Sequence, residues 1–428
     1  MPRPKTNDSD ALGTPSRRAA LRLLDAVLRR GEPLEQALVA ATRHVYGPDR
    51  GLAHAIAAEV LRRLPDLDAL IDSVTERPLP DDAKARMALR IALVQALVLG
   101  TPHHAAIATV LPLVDGGPRK LVHGVFGAIV RSGVLLPVIP ALPPLVEARW
   151  EGAWGADMVE GAALAIAAPP PLDVTLADPA ETDQWVAELG GTSLLPGHVR
   201  INDAGSVTDL PGFAEGRWWV QDIAASLPAR LLADAARGTA IDLCAAPGGK
   251  TLQLAASGFT VAAVDVSNAR IKRLRENLFR TRLKAEVIAA DVLKWAPAEP
   301  ADALLIDAPC SATGIFRRHP DVLHRVHPPI IEEMANLQAR LFARAADWVK
   351  PGGTLVFATC SLERQEGEDQ LARFLSARPD YAVDAPDAAL LPAGIPVHAD
   401  GYVRTLPGMM TADGGCDGFF IVRLKRQG

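Results

Sequence analysis

Cysteine, long apolar runs and any excess of positive charge are all wanting in this chain. Only four cysteines occur in 428 residues. Cys244, Cys310, Cys360 and Cys416 form no CxxC pair and all fall in the C-terminal half, which excludes a disulfide framework and a cysteine-based zinc site and leaves reduced thiols as the expectation. No apolar stretch reaches the roughly 20 residues that a bilayer span requires. The start Met1-Pro2-Arg3-Pro4-Lys5-Thr6 lacks the apolar core of a signal peptide. A cytoplasmic protein with no membrane partner is expected. With 45 Lys and Arg against 50 Asp and Glu, the net charge of −5 excludes a uniformly basic nucleic-acid binder but not a local basic patch. Metal ligands are missing too, since His103 and His104 have no carboxylate or cysteine at ligand spacing and read as helix-terminal packing residues.

A 49% hydrophobic and 22% charged composition is that of a globular chain, long enough for two or three domains. Residues 1–14 read as a polar, disordered tail. From 15 to 135 apolar residues such as Leu23, Leu24, Val27 and Leu28, then Ile56, Val60 and Leu61, recur at helical spacing with hardly a strand signal, which predicts an all-α bundle. Residues 136–225 read as a proline-rich linker followed by a small α/β subdomain with a strand at Leu172–Leu176. From 226 to 428 strand and helix alternate, with strands placed at 240–244, 260–264, 285–288, 303–306 and 353–358, as in a parallel sheet covered on both faces. A last strand at 418–424 is expected at the sheet edge.

The stretch Ile241-Asp242-Leu243-Cys244-Ala245-Ala246-Pro247-Gly248-Gly249-Lys250-Thr251 opens a ligand crevice at a strand end. It is not a P-loop, because the glycine required five residues before Gly249 is Cys244. Nor does it carry the GxGxxG order of a dinucleotide site. A ligand without phosphates to cradle remains, whose ribose needs an acid at the next strand end, where Asp265 stands. With Asp291 after the third strand and Asp307 after the fourth, three acids in phase point to S-adenosyl-L-methionine in a Rossmann-like methyltransferase. The cofactor set is then Cys244, Ala245, Ala246, Pro247, Gly248, Gly249, Lys250, Asp265, Asp291 and Asp307.

Asp307-Ala308-Pro309-Cys310-Ser311 and Thr359-Cys360-Ser361 follow strands expected to be neighbours, so Cys310 and Cys360 should converge over the crevice. Two thiols beside a methyl donor fit attack on cytosine: a thiolate adds to carbon-6, activating carbon-5, and a second group assists proton removal or release. Cys360, Cys310 and Asp307 meet those needs. Lys250 is expected to reach the target base.

These motifs, with Gln221-Asp222-Ile223-Ala224-Ala225, resemble the Sun/Fmu-type RNA cytosine-C5 methyltransferase family over about 200 residues. The resemblance implies that Cys360 is the nucleophile and that Cys310 assists release, and that the substrate is RNA and not DNA. It also places Arg317 and Arg318, in Arg317-Arg318-His319-Pro320-Asp321, on the RNA backbone. Arg18-Ala19-Ala20-Leu21, Ala88-Leu89-Arg90-Ile91-Ala92, Pro102-His103-His104-Ala105 and Leu121-Val122-His123-Gly124-Val125-Phe126 are similar to NusB-type RNA-binding domains. A NusB-like bundle ahead of the class I methyltransferase unit matches the family's 16S rRNA branch, which implies one cytosine of 16S rRNA as target for a monomeric enzyme. Transfer RNA or 23S rRNA as target, or a non-catalytic RNA-binding assembly factor, stand as alternatives. Between Arg270 and Lys284 a further basic cluster (Arg270, Lys272, Arg273, Arg275, Arg280, Arg282, Lys284) faces a single acid, Glu276, and reads equally as a solvated helix face or as a phosphate contact.

Overall fold

The structure, a computed structural model, describes residues 13–428. The tail expected at 1–14 lies, up to residue 12, outside the described residues, and Thr14 already opens a helix. The chain divides into two compact units, one running up to Arg149 and including Arg318–Val326, the other comprising Trp150–Arg317 and His327–Gly428. The sequence had suggested boundaries at 135 and 225.

The first unit is the all-α bundle. Its helices Thr14–Arg30, Leu34–Ala41, Pro48–Arg62, Leu64–Asp72, Lys84–Leu97, His103–Val110 and Gly117–Ser132 bury one apolar core. Leu23, Leu24, Ile56, Val60, Leu89, Val94 and Ile129 fill it. Arg90 grips Asp68 in a two-pronged ion pair at 2.7 and 2.8 Å, the planar match a guanidinium makes with a carboxylate. His103 and His104 do stand at a helix start, but they are exposed and pack nothing. The segment Arg318–Val326 is held by this bundle, for the imidazole of His324 contacts Leu61 O at 2.7 Å and Leu34 N donates to Asp321. Its threading into the helical unit had no signal in the sequence.

The second unit carries two sheets. Strands β1 (Leu172–Leu176), β2 (His198–Ile201) and β3 (Trp218–Val220) form a small antiparallel sheet in the order β2-β1-β3. It is tied to the larger body at Asp173, whose carboxylate takes both Arg200 prongs at 2.7 Å and the Ile223 amide. Burial opposes its charge, but Arg200 and His198 hold it well below the usual carboxylate range.

The large sheet contains β4 (Thr239–Leu243), β5 (Thr260–Asp265), β6 (Glu286–Ala289), β7 (Ala301–Asp307), β8 (Val349–Thr359), β9 (Tyr381–Val383), β10 (Val403–Thr405) and β11 (Phe419–Arg426). Its order is β10-β11-β8-β7-β4-β5-β6, with β9 also on β11. From β6 to β8 all pairs are parallel. The last strand is therefore not an edge: β11 lies between β10 and β8, antiparallel to both. Its run Phe419-Phe420-Ile421-Val422 is buried on both faces, which an interior strand demands. The order in which successive strands are laid down reverses between β4 and β7, and a crevice opens where their loops part.

Candidate active site

β7 and β8 are parallel neighbours in which Asp307 pairs with Ala358, so the loops that leave them emerge at one sheet edge. There the sulfurs of Cys310 and Cys360 lie 3.4 Å apart, well beyond the roughly 2 Å of a disulfide. Both thiols are free and half-buried. Lys250, in the first turn of the helix Gly249–Ala256, reaches over from the β4 loop and places Nζ 2.8 Å from Asp307 Oδ2. The same ammonium stands 5.4 Å over the Phe419 ring. Burial works against its charge, but Asp307, and after it Cys360 and Asp242, raise its pKa, so the cation persists. The Cys310 thiol is pushed well up by its hydrogen bond with Cys360, by burial and by charge on Cys360. Cys310 therefore keeps its proton.

One acid that the sequence reading passed over ties the two cysteine loops together. Glu366 is fully buried. Its Oε1 accepts from the Ser311 amide at 2.9 Å and from Gln338 at 3.0 Å, and its Oε2 accepts from the hydroxyls of Ser311 and Ser361. Those serines directly follow the two cysteines. Burial lifts the Glu366 carboxyl pKa against the pull of these donors. Read along the sequence, Glu366-Gly367-Glu368 looks like a solvated helix start, and nothing local marks its first acid as buried.

Further braces leave the Cys360 loop little freedom. Gly314 N donates to Cys360 O at 3.0 Å, Leu362 N to Thr313 Oγ1 at 3.0 Å, and Arg404 to Ser361 O at 2.6 Å. A Cβ at Gly314 would sit 1.9 Å from Gly418 O, so only glycine allows the β7 loop to close on β11.

On the β4 side the turn residues Cys244–Gly249 suit a closely approached ligand. Gly248 has φ 111°, and a Cβ there would stand 2.3 Å from Leu274 Cδ1. Asp265, only 2% exposed, closes the crevice by accepting from Ala246 N at 3.1 Å and Ser267 N at 2.8 Å. Arg270, half exposed, lies 3.4 Å from the same carboxylate and donates to Ala246 O of the turn. Val266, which the sequence reading did not single out, is 69% exposed beside Asp265, an aliphatic surface next to an acid, as an adenosine would require. Asp291 stands two residues beyond β6 and accepts from Leu293 N at 2.9 Å, so part of its capacity is spent on its own turn. Asp265, Asp291 and Asp307 thus share one sheet edge, where Ala246 and Pro247 of the β4 turn are held by Asp265, Arg270 and Asn277. This set fits the sulfonium cofactor expected from the sequence. Cys244 is not a reactive thiol, since burial, with Asp307 and Asp265 nearby, pushes it up to about 12. Among the described residues no group of His, Cys, Asp and Glu is arranged to hold a metal.

The expected pair of RNA-contacting arginines separates. Arg317, expected on the RNA backbone, is buried and donates to Gly414 O at 3.0 Å, which makes it a brace for the loop before β11. Arg318 is half-buried and belongs to the helical unit.

The sequence profile of the NusB family matches residues 14–131, and that of the 16S rRNA methyltransferase RsmB/F family matches residues 229–425. The chain is 37% identical to the ribosomal RNA small subunit methyltransferase B of Xanthomonas campestris pv. campestris, with 98% of this chain and 99% of the relative covered. To the protein of the same name from Cronobacter sakazakii it is 31% identical, with 96% and 98% covered. In fold it is similar to the crystal structure of PH0851, with a TM-score of 0.75 at 23% identity over 97% of this chain and 99% of the other. It is also similar to NSun6 from Pyrococcus horikoshii with SFG, with a TM-score of 0.57 at 18% identity over 66% and 98%.

Proposed function

The chain belongs to the RsmB/F family of 16S rRNA methyltransferases, and on that premise we propose that it methylates carbon-5 of one cytosine in 16S rRNA through a covalent bond between Cys360 and carbon-6 of the base. The observation that carries the reading is the pair of free thiols 3.4 Å apart, with the Lys250–Asp307 pair also bordering the crevice. Bound S-adenosyl-L-methionine supplies an electrophilic methyl group. The chain's residues make cytosine able to accept it.

The Cys360 thiolate adds to carbon-6, forming a carbon–sulfur bond and moving electron density to carbon-5. Asp307 and Lys250 address the polar edge of the base, where the ring gains charge. After methylation a base takes the carbon-5 proton, the carbon–sulfur bond breaks and the ring electrons return. Cys310, held as a thiol beside the Cys360 sulfur, protonates the departing sulfur. The target nucleotide must leave its stack to reach these groups.

We further propose a monomer that acts on RNA and not DNA in the cytoplasm. The test is transfer of labelled methyl groups to protein-free 16S rRNA, with tRNA and 23S rRNA as parallel substrates. Label at carbon-5 of a 16S cytosine is expected. Label confined to tRNA would reassign the target, and no label on any RNA with the wild-type protein would end the catalytic reading.

A further inference from the structure

The basic cluster on the helix Asn268–Thr281 is sorted by the structure into pinned and free members. Arg270 donates to Ala246 O, Asn277 to Pro247 O at 3.1 Å, and Arg280 to Phe213 O and Trp218 O at 2.7 and 3.0 Å. Arg280 also lies 4.2 Å over the Phe213 ring. These three fix the helix at its start, middle and end against the cofactor turn and the small sheet, while Ile271, Leu274 and Leu278 bury its inner face. What remains outside is a row one helical step apart: Lys272, Arg275, Phe279 and Arg282, with Arg273 and Lys284 beside it. Phe279 is 87% exposed. Lys272 stands 3.9 Å from Glu276 across solvent. Arg273, Arg275, Arg282 and Lys284 have no acidic partner among the described residues.

A helix pinned at its start, middle and end and presenting an exposed aromatic ring among cations has the two components of a single-stranded nucleic-acid track. The ring offers a stacking face that accepts any base, and the cations follow the phosphates. From Lys272 to Arg282 the row is about 15 Å long. A protein partner would call for a broader apolar surface or for acids to balance the charge, and the row offers neither. The excess cations stand out in a chain whose net charge is −5.

We propose that this row is an RNA-binding surface that receives an unpaired segment of the substrate flanking the target base, with a base stacked on Phe279 and phosphates on Arg275 and Arg282. The proposal rests on the reading of the chain as an RNA methyltransferase, and its test keeps the two apart.

The experiment measures affinity of the full-length protein for the RNA that the wild type methylates, across a salt titration, for wild type, Phe279→Ala and the triple variant Arg273→Gln/Arg275→Gln/Arg282→Gln. Calorimetric affinity for S-adenosylmethionine and a melting curve check the fold of each. Phe279→Ala should weaken RNA binding about tenfold. The triple variant, which removes the two phosphate contacts of Arg275 and Arg282, should lower the slope of log affinity against log salt by about 1.4, from roughly 0.7 per phosphate contact. Both should retain wild-type cofactor affinity. RNA affinity and salt slope equal to wild type in both variants would overturn the surface while leaving the methyltransferase reading intact. If the wild type methylates no RNA, that reading fails, and the same binding comparison on 16S rRNA still decides the surface.

Discussion

The hydroxyl oxygens of Ser311 and Ser361 lie 3.2 Å apart over the shared carboxylate of Glu366. Each serine follows one of the two neighbouring cysteines, so one buried acid braces both of the loops that carry the thiols. Glu366→Ala would leave the Ser311 amide without its acceptor in the interior, at a cost of about 1–3 kcal/mol, and would take from the two hydroxyls the acceptor they share. Turnover should fall by more than the loss of stability explains, with the KM for S-adenosylmethionine unchanged, and Glu366→Gln should restore part of it. Steady-state kinetics on both variants decide this, and a wild-type kcat in Glu366→Ala would remove the residue from the site.

The division of labour between the thiols is open to direct observation. Cys360→Ser should lose methyl transfer by on the order of a thousandfold or more, as removal of a nucleophile does. Cys310→Ala should form the carbon–sulfur bond and fail to release it. A denaturing gel then shows RNA-linked protein for Cys310→Ala and none for Cys360→Ser. The reverse pattern would exchange the two roles.

Asp265 bridges the β4 turn and the end of β5 through the Ala246 and Ser267 amides. Asp265→Ala should weaken S-adenosylmethionine binding at least tenfold with the RNA affinity retained. Isothermal calorimetry reads the first quantity and filter binding the second; unchanged cofactor affinity would take Asp265 out of the site.

A pH effect follows from Asp242, whose carboxyl is pushed up to about 7 by burial, although Thr251 donates to it at 2.5 Å. In the unfolded chain an aspartate titrates near pH 3.9. The native state thus prefers the protonated form. The stability this gives is complete below about pH 4 and is lost as the pH rises to about 7, an effect of up to roughly 4 kcal/mol. Asp242→Asn, which cannot ionise, should gain in melting temperature relative to wild type across that window. Parallel melting curves for the two proteins would show that Asp242 is ionised throughout.

Much of this was legible from residue order, and for a physical reason. Periodicity at 3.6 gave the bundle, alternation of strand and helix gave the parallel sheet, and the glycine turn, the strand-end acids and the two cysteine motifs are local patterns that chain direction alone carries to one sheet edge. What residue order could not supply was anything decided by partners distant in the chain. β11 read as an edge strand because no local pattern tells an apolar edge from an interior strand; its pairing with β8 and β10 settles that. Arg317 read as an RNA-backbone contact from the basic motif around it, whereas the carbonyl of Gly414, 97 residues away, draws it inside. Glu366 and Phe279 are the matching pair. An acid that looks solvated along the sequence is buried among four converging donors, and Phe279 stands in water while Leu274 and Leu278 fill the inner face of its helix. Residue order determined which chemistry the chain holds. Tertiary packing decided which side chains are free to perform it, since burial and hydrogen-bond satisfaction are properties of the assembled fold.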